Sequence, residues 1–265
     1  MNNWLRVCGW GLRLGFQDFQ NFWKNWRIWV MTHVLRATTS AATLVLLGRL
    51  LGSDEQLYFL LIGQIVIVGP QYVGWTVAAF TWDRMFVGTY PMLVAAPTSL
   101  VPAMIGRTSI WLINGVVTSL ITFLILGPIF GLSVPMVGLL LAPAIIAVVC
   151  VSYYGLSFFI GSVVNWVPQL RNIAHNSVTT VLTAICGAVV PLAFWPSWVE
   201  RIAGVLPVTH GLRSIRLVMA GVVNEDVAWG IAFEVLIGLI WLALGIMTLD
   251  RTNHMARRNG SLDLI

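Results

Sequence analysis

The sequence predicts an all-α integral membrane protein with six transmembrane helices. An N-terminal interfacial amphipathic helix precedes them, and an outer re-entrant helical hairpin lies before the last span. Three observations carry this reading. Of 265 residues, 58% are hydrophobic and only 9% are charged, against roughly 45–50% and about 25% in a soluble domain. The charges sit at the edges of long uncharged runs, from Gln56 to Trp82 and from Thr108 to Leu170. The length accommodates roughly five to seven helices of about 20 apolar residues with short loops. A further soluble catalytic domain of roughly 100–150 residues does not fit beside them. A soluble enzyme, a disordered chain and a secreted disulfide scaffold are excluded. Cys8, Cys150 and Cys186 are odd in number and widely spaced, and read as small buried residues.

Residues 4–26 read as the amphipathic helix. At about 100° per residue, Arg6, Arg13, Gln17, Gln20 and Lys24 share a sector opposite Trp4, Cys8, Leu12, Phe19, Phe22, Trp23 and Trp26. Asp18, Asn25 and Trp10 break the pattern. A basic face opposite aromatic residues describes a helix lying in the cytoplasmic interface. Charges interrupt this stretch, so no cleavable signal peptide is expected and the first span serves as the insertion signal.

Span one is expected at 29–50, with His33 and Arg36 in its first half. Arg36 either snorkels towards the cytoplasm or faces a protein neighbour. Span two covers 57–81, and Pro70 predicts a kink in it. Gln64, Gln71 and Trp75 lie on one side of that helix. Residues 83–99 carry Gly88, Pro91 and Pro97 and read as a loop with a short cytoplasmic helix. The long uncharged run beyond Thr108 requires two spans, 103–126 and 136–163, broken at Gly127-Pro128 through Pro135. Span five is expected at 174–194, with a stripe of Asn176, Thr180, Thr183 and Gly187. Residues 195–222 hold two helical stretches too short to cross a bilayer, read as a hairpin at the outer surface that partly dips into the membrane. Span six covers 227–249, with Glu234 its only charge.

The distribution of basic residues orients this topology. With both termini inside, the cytoplasmic side holds Arg6, Arg13, Lys24, Arg27, Arg84, Arg107, Arg171, Arg251, Arg257 and Arg258. The outer side holds Arg49, Arg201, Arg213 and Arg216, a ratio of ten to four. Excess Lys and Arg on the cytoplasmic side favours this orientation, in the inner or plasma membrane of the cell.

No motif for catalysis or metal binding appears. The chain lacks G-x-x-x-x-G-K-[ST], H-E-x-x-H and G-x-S-x-G, and its four histidines are scattered. No catalytic residue and no metal ligand is assigned, and nucleic acid is not an expected partner. Glu234 is a functional candidate because an ionisable group inside a span is costly. It either pairs with an outer arginine such as Arg213 or Arg216, or lines a substrate or proton path. The stripes of spans two and five either line a pathway or pack helices.

Three segments together resemble the membrane subunits of ABC-2 type exporters. Trp82-Asp83-Arg84, then Gly88-Thr89, Leu93 and Ala96-Pro97-Thr98, are similar to that family's cytoplasmic segment after the second span. Pro191-Leu192, Pro196, Trp198 and Leu206-Pro207-Val208-Thr209-His210, followed by Leu212-Arg213 and Arg216, are similar to its outer hairpin. The amphipathic helix before span one is the third. Family members often carry more charge in the cytoplasmic segment than Asp83 and Arg84 provide. The resemblance implies a type V ABC exporter-like permease domain over 1–265, coupled through Asp83, Arg84, Gly88, Thr89, Leu93 and Pro97 to two copies of an ABC ATPase. ATP and Mg are then expected on that partner and no cofactor on this chain. It also implies a second permease copy or homologue, and a path lined by spans two and five (Gln64, Gln71, Trp75, Asn176, Thr180, Thr183). The outer gate would comprise Pro191, Pro196, Pro207, Thr209, His210, Arg213, Arg216 and Glu234. A hydrophobic or amphipathic substrate (drug, antibiotic or lipid-like) is expected, with a lipid-linked polysaccharide as the alternative. An ion-coupled carrier and an intramembrane enzyme are the readings from other classes.

Overall fold

The computed structural model describes residues 3–23, 25–50, 54–82, 84–85, 90–96, 99–131 and 134–259. The described residues are helical, with no strand among them. In chain order the helices are α1 (Asn3–Trp23), α2 (Trp26–Leu50), α3 (Asp54–Val73), α4 (Thr76–Trp82), α5 (Tyr90–Ala95), α6 (Val101–Ile129), α7 (Met136–Val164), α8 (Arg171–Ile185), α9 (Ser197–Val205), α10 (Thr209–Met219) and α11 (Glu225–Asn259). Four helical stretches among the described residues are long and apolar enough to cross a membrane: Glu55–Trp82, Val101–Ile129, Met136–Val164 and Glu225–Arg258.

The chain is punctuated by residues with identifiable local roles. Asn25 separates α1 from α2, and its Oδ1 accepts the Arg27 N–H at 3.0 Å, satisfying an orphan donor of the new helix. Pro102 occupies the first turn of α6, where its missing N–H costs nothing. Pro70 sits inside α3, yet the interruption of span two falls one turn later, at Gly74–Trp75. There the His175 ring of α8 packs over Gly74 so closely that a Cβ would lie 2.5 Å from its Cε1.

α7 is the central helix. It packs on α11, α10, α3, α4, α6 and α8. The α7–α11 seam runs over small residues: Gly155 faces the Gly238 backbone, Gly238 faces Ser152, and Gly245 faces Phe158 and Phe159. Lipid gives helices no hydrophobic reason to associate, so close backbone approach and packing hold such seams. Ser152 adds a hydrogen bond from its hydroxyl to the Glu234 backbone carbonyl at 2.9 Å.

One expectation needs correction. Span five was expected to run to 194, but α8 ends at Ile185 and the chain turns at Gly187, whose φ is +87°. Fifteen helical residues at ~1.5 Å each fall short of a hydrocarbon core of about 30 Å. Periodicity gave α1 no protein-packing face, and the structure supplies one that shares only Cys8 and Phe19 with its aromatic side. The stripe turned to protein is Cys8, Gly11, Gly15, Asp18 and Phe19, whereas Trp4, Trp10, Leu12 and Phe16 are exposed. Gly11 and Gly15 bring α1 against the α6 backbone at Ala103 and Arg107, and Gly106 receives Cys8 in return. Glycines have no apolar side chain, so a hydrophobicity plot does not mark this seam.

Candidate functional site

One end of the bundle gathers the cytoplasmic segments expected from the sequence. Asp18 of α1 takes the Arg107 guanidinium of α6, with Nη2 at 2.6 Å and Nε at 2.8 Å from Oδ2. Arg107 is 8% exposed and Asp18 31% at the side chain, so the pair is partly withdrawn from water. Above it Phe19 meets Trp111 edge-on with centroids 5.7 Å apart, and Trp111 stacks on Trp75 at 6.0 Å. Asp18, Trp75, Trp82, Arg107 and Trp111 line a cavity of about 40 Å³. The break that Asp18 made in the α1 pattern was the sequence signal of this pair.

Of the expected coupling residues, Asp83, Gly88, Thr89 and Pro97 lie outside the described residues. Arg84 and Leu93 both face the protein. Arg84 donates to the Asn165 carbonyl at the end of α7, at 2.6 Å, and Leu93 packs against the core. Arg257 of α11 donates to the carbonyls of Val94 and Ala96 at 2.8 and 2.9 Å, a cation at the C-terminal end of α5. Among the described side chains of α5, Met92 is the exposed one, at 75%. The sequence motif gave it no weight.

The expected path residues separate into two kinds. Gln64 is buried and donates from Nε2 to Ser40 Oγ at 2.7 Å, joining α2 to α3. Gln71 and Trp75 are half-buried, and Trp75 reaches α8 through the His175 ring at 5.6 Å. Thr183 is half-buried and bonds back to the Thr179 carbonyl. Asn176 and Thr180, with Asn172 one turn before them, form an exposed polar stripe on α8. In α2, His33 is buried between Trp29 and Tyr72, with centroids at 4.4 and 4.2 Å, and Arg36 lies over Tyr72 at 5.6 Å. Arg36 thus has a protein neighbour.

At the opposite end, α9 and α10 pack as two short helices joined by a tight turn. The turn Leu206-Pro207-Val208-Thr209-His210, with Trp241 of α11, caps the end of α9. Thr209 Oγ1 donates to the Ala203 carbonyl at 2.7 Å, His210 Nε2 contacts the Gly204 carbonyl at 3.0 Å, and Trp241 Nε1 donates to the Val205 carbonyl at 3.2 Å. These are the orphan acceptors of α9. Val208, at φ 83°, holds a left-handed conformation that is strained for a β-branched residue. Trp198, Ile202 and Val205 of α9 are exposed together, an apolar face turned away from the protein. Pro191 and Pro196 bracket a short turn of 3-10 helix before α9.

Glu234 is 0% exposed and completes this turn. Its carboxylate accepts the Val208 N–H through Oε1 and the Gly211 N–H through Oε2, the latter at 2.9 Å. These are orphan donors at the start of α10, where a carboxylate also complements the helix dipole. The expected pairing of Glu234 with Arg213 or Arg216 is not what forms. Arg216 points elsewhere: its Nη2 donates to the Gly187 carbonyl at 2.7 Å, and its guanidinium carbon lies 3.5 Å over the Phe59 ring. Arg213 is exposed.

A family model described as ABC-2 type transporter matches residues 19–220, more than half of the chain, from late α1 to the end of α10. Comparison with curated proteins gives no match. Apolar helices of membrane-crossing length and this match together make the chain the membrane component of an ABC transporter, with an ABC ATPase as its implied partner; it belongs to the ABC-2 type transporter family.

Proposed function

We propose that the chain is the permease subunit of an exporter in the inner or plasma membrane, with both termini cytoplasmic. It moves a hydrophobic or amphipathic molecule (a drug, an antibiotic or a lipid-like compound) outward. A separate ATPase, present in two copies, binds ATP and Mg and closes on itself to drive the cycle. The observation that carries this reading is the pairing of two differently built ends. One end holds a short outward-facing helix, α5, tied to α11 and flanked by the Asp18–Arg107 contact. The other is capped by the hairpin.

Force from the ATPase enters at Met92, which is exposed on α5. The Arg257 bonds carry it to α11, and the Arg84 bond carries it to the end of α7. α1 moves with α6, because the glycine seam and the Asp18 carboxylate leave no slack between them. The exposed stripe of Asn176 and Thr180 on α8 is costly against lipid. A second permease copy or homologue covers it, and the polar residues line the path between the two. Gln64 holds α2 on α3.

The test is purification of the tagged chain from native membranes, followed by an ATPase assay on what accompanies it. A co-purifying ABC ATPase that turns over ATP, and a reconstituted complex that accumulates an amphipathic dye on the far side of a vesicle, support the reading. A chain that transports in response to an ion gradient without any ATPase overturns it.

A further inference from the structure

The outer end contains a cavity lined in part by residues expected at the outer gate, Pro191, Thr209, Arg213 and Arg216, with no ligand assigned to it. It has a volume of about 350 Å³, within the range of roughly 300–1,000 Å³ typical of small-molecule pockets. Thr209, Arg213 and Arg216 recur along one face of α10 and line it, with Phe59, Leu192 and Leu217 supplying apolar wall. Neither arginine makes an ion pair among the described residues. Arg216 is held in place by the Phe59 ring and by bonds that all leave from Nη2, and its buried Nε has no acceptor. A guanidinium has five donors in a planar fork suited to phosphate, so most of this one is unspent. The carboxylate of Glu234 on α11, which reaches the start of α10, is occupied by the Val208 and Gly211 amides.

Two arginines on the outer side oppose the usual charge asymmetry of a membrane protein, and here they share a half-open cavity with hydrocarbon walls. We infer that this cavity binds the phosphate headgroup of an anionic phospholipid from the outer leaflet. Arg213 and Arg216 take the phosphate, and Phe59, Leu192 and Leu217 lie along the glycerol and the first methylenes. A lipid seated there bridges α3, the segment after α8 and α10, adding to the Arg216 bonds and to the close approach of Gly63 and Ala188.

Native mass spectrometry of the full, delipidated chain in detergent reads this without an ATPase, so failure of the transport reading leaves it unaffected. The probes are phosphatidylglycerol, diacylglycerol of the same acyl chains, and inorganic phosphate. Phosphatidylglycerol is expected to be retained, diacylglycerol to be lost, and inorganic phosphate at equal concentration to displace nothing. Arg213→Gln, at an exposed residue, is expected to weaken phosphatidylglycerol about tenfold with unchanged thermal unfolding. This variant keeps the test decisive where Arg216→Gln fails to fold. Equal retention of diacylglycerol, undiminished binding by Arg213→Gln, or displacement by inorganic phosphate alone would each overturn the assignment, the last by replacing lipid with free phosphate.

Discussion

Replacing Glu234 separates its structural role from a role in transport. Glu234→Ala removes both acceptors from the start of α10, and Val208 and Gly211 keep their N–H groups in a site closed to water. A buried donor left without an acceptor costs about 1–3 kcal/mol, so the two together cost about 2–6 kcal/mol, before any cavity is counted. Glu234→Gln is gentler. Its amide oxygen serves one N–H while its NH2 faces the other, so one bond is lost at about 1–3 kcal/mol. The cost falls where α10 meets α11, and hydrogen exchange over residues 206–214 is the assay. At ~1.4 kcal/mol per tenfold change, Glu234→Gln should exchange about 5- to 150-fold faster there than the parent chain. Exchange in the α6–α7 contact should not change. Transport should fall only as far as the hairpin is loosened. Parental exchange over 206–214, combined with abolished transport, would refute the argument and place the carboxylate in a substrate or proton path.

Other substitutions test the remaining contacts. Asp18→Asn keeps the shape of the α1–α6 contact but removes the charge from a guanidinium that is 8% exposed. Breaking buried pairs costs about 3–5 kcal/mol and exposed pairs up to about 1. A loss of about 2–3 kcal/mol is therefore expected in denaturant unfolding, and a loss below 0.5 or so would show the pair to be solvent-screened. Met92→Asp, at an exposed residue, should leave unfolding unchanged and reduce the ATPase retained on purification at least tenfold; full retention removes Met92 from the docking surface. Thr180→Leu and Gln64→Leu should behave oppositely. The first alters transport or subunit pairing at parental stability, whereas the second lowers stability by about 1 kcal/mol through the lost Ser40 bond.

The sequence by itself determined the solvent, the class and most of the helices. Hydropathy is summed residue by residue along the chain, so the uncharged runs ending at Trp82 and at Leu170 marked membrane-length helices without knowledge of any partner. Proline and glycine placed most of the breaks for an equally local reason, their own backbone chemistry. The family resemblance of the hairpin was legible too, because Thr209 and His210 act on carbonyls only six residues away. What lay beyond the sequence was every pairing that depends on how helices rotate and cross. Glu234 could be singled out as costly, but nothing local says that its partners are two backbone amides rather than Arg213 or Arg216. Gly11 and Gly15 carry no hydrophobic signal, so only the close approach of α6 revealed which face of α1 is buried. Span five was read too long because its apolar composition continues past Ile185, while the left-handed turn at Gly187 and the Arg216 contact with its carbonyl end the helix there. Composition is a property of each residue, whereas a buried polar group is satisfied by whatever tertiary packing brings within about 3 Å, and that distance is set by the whole bundle.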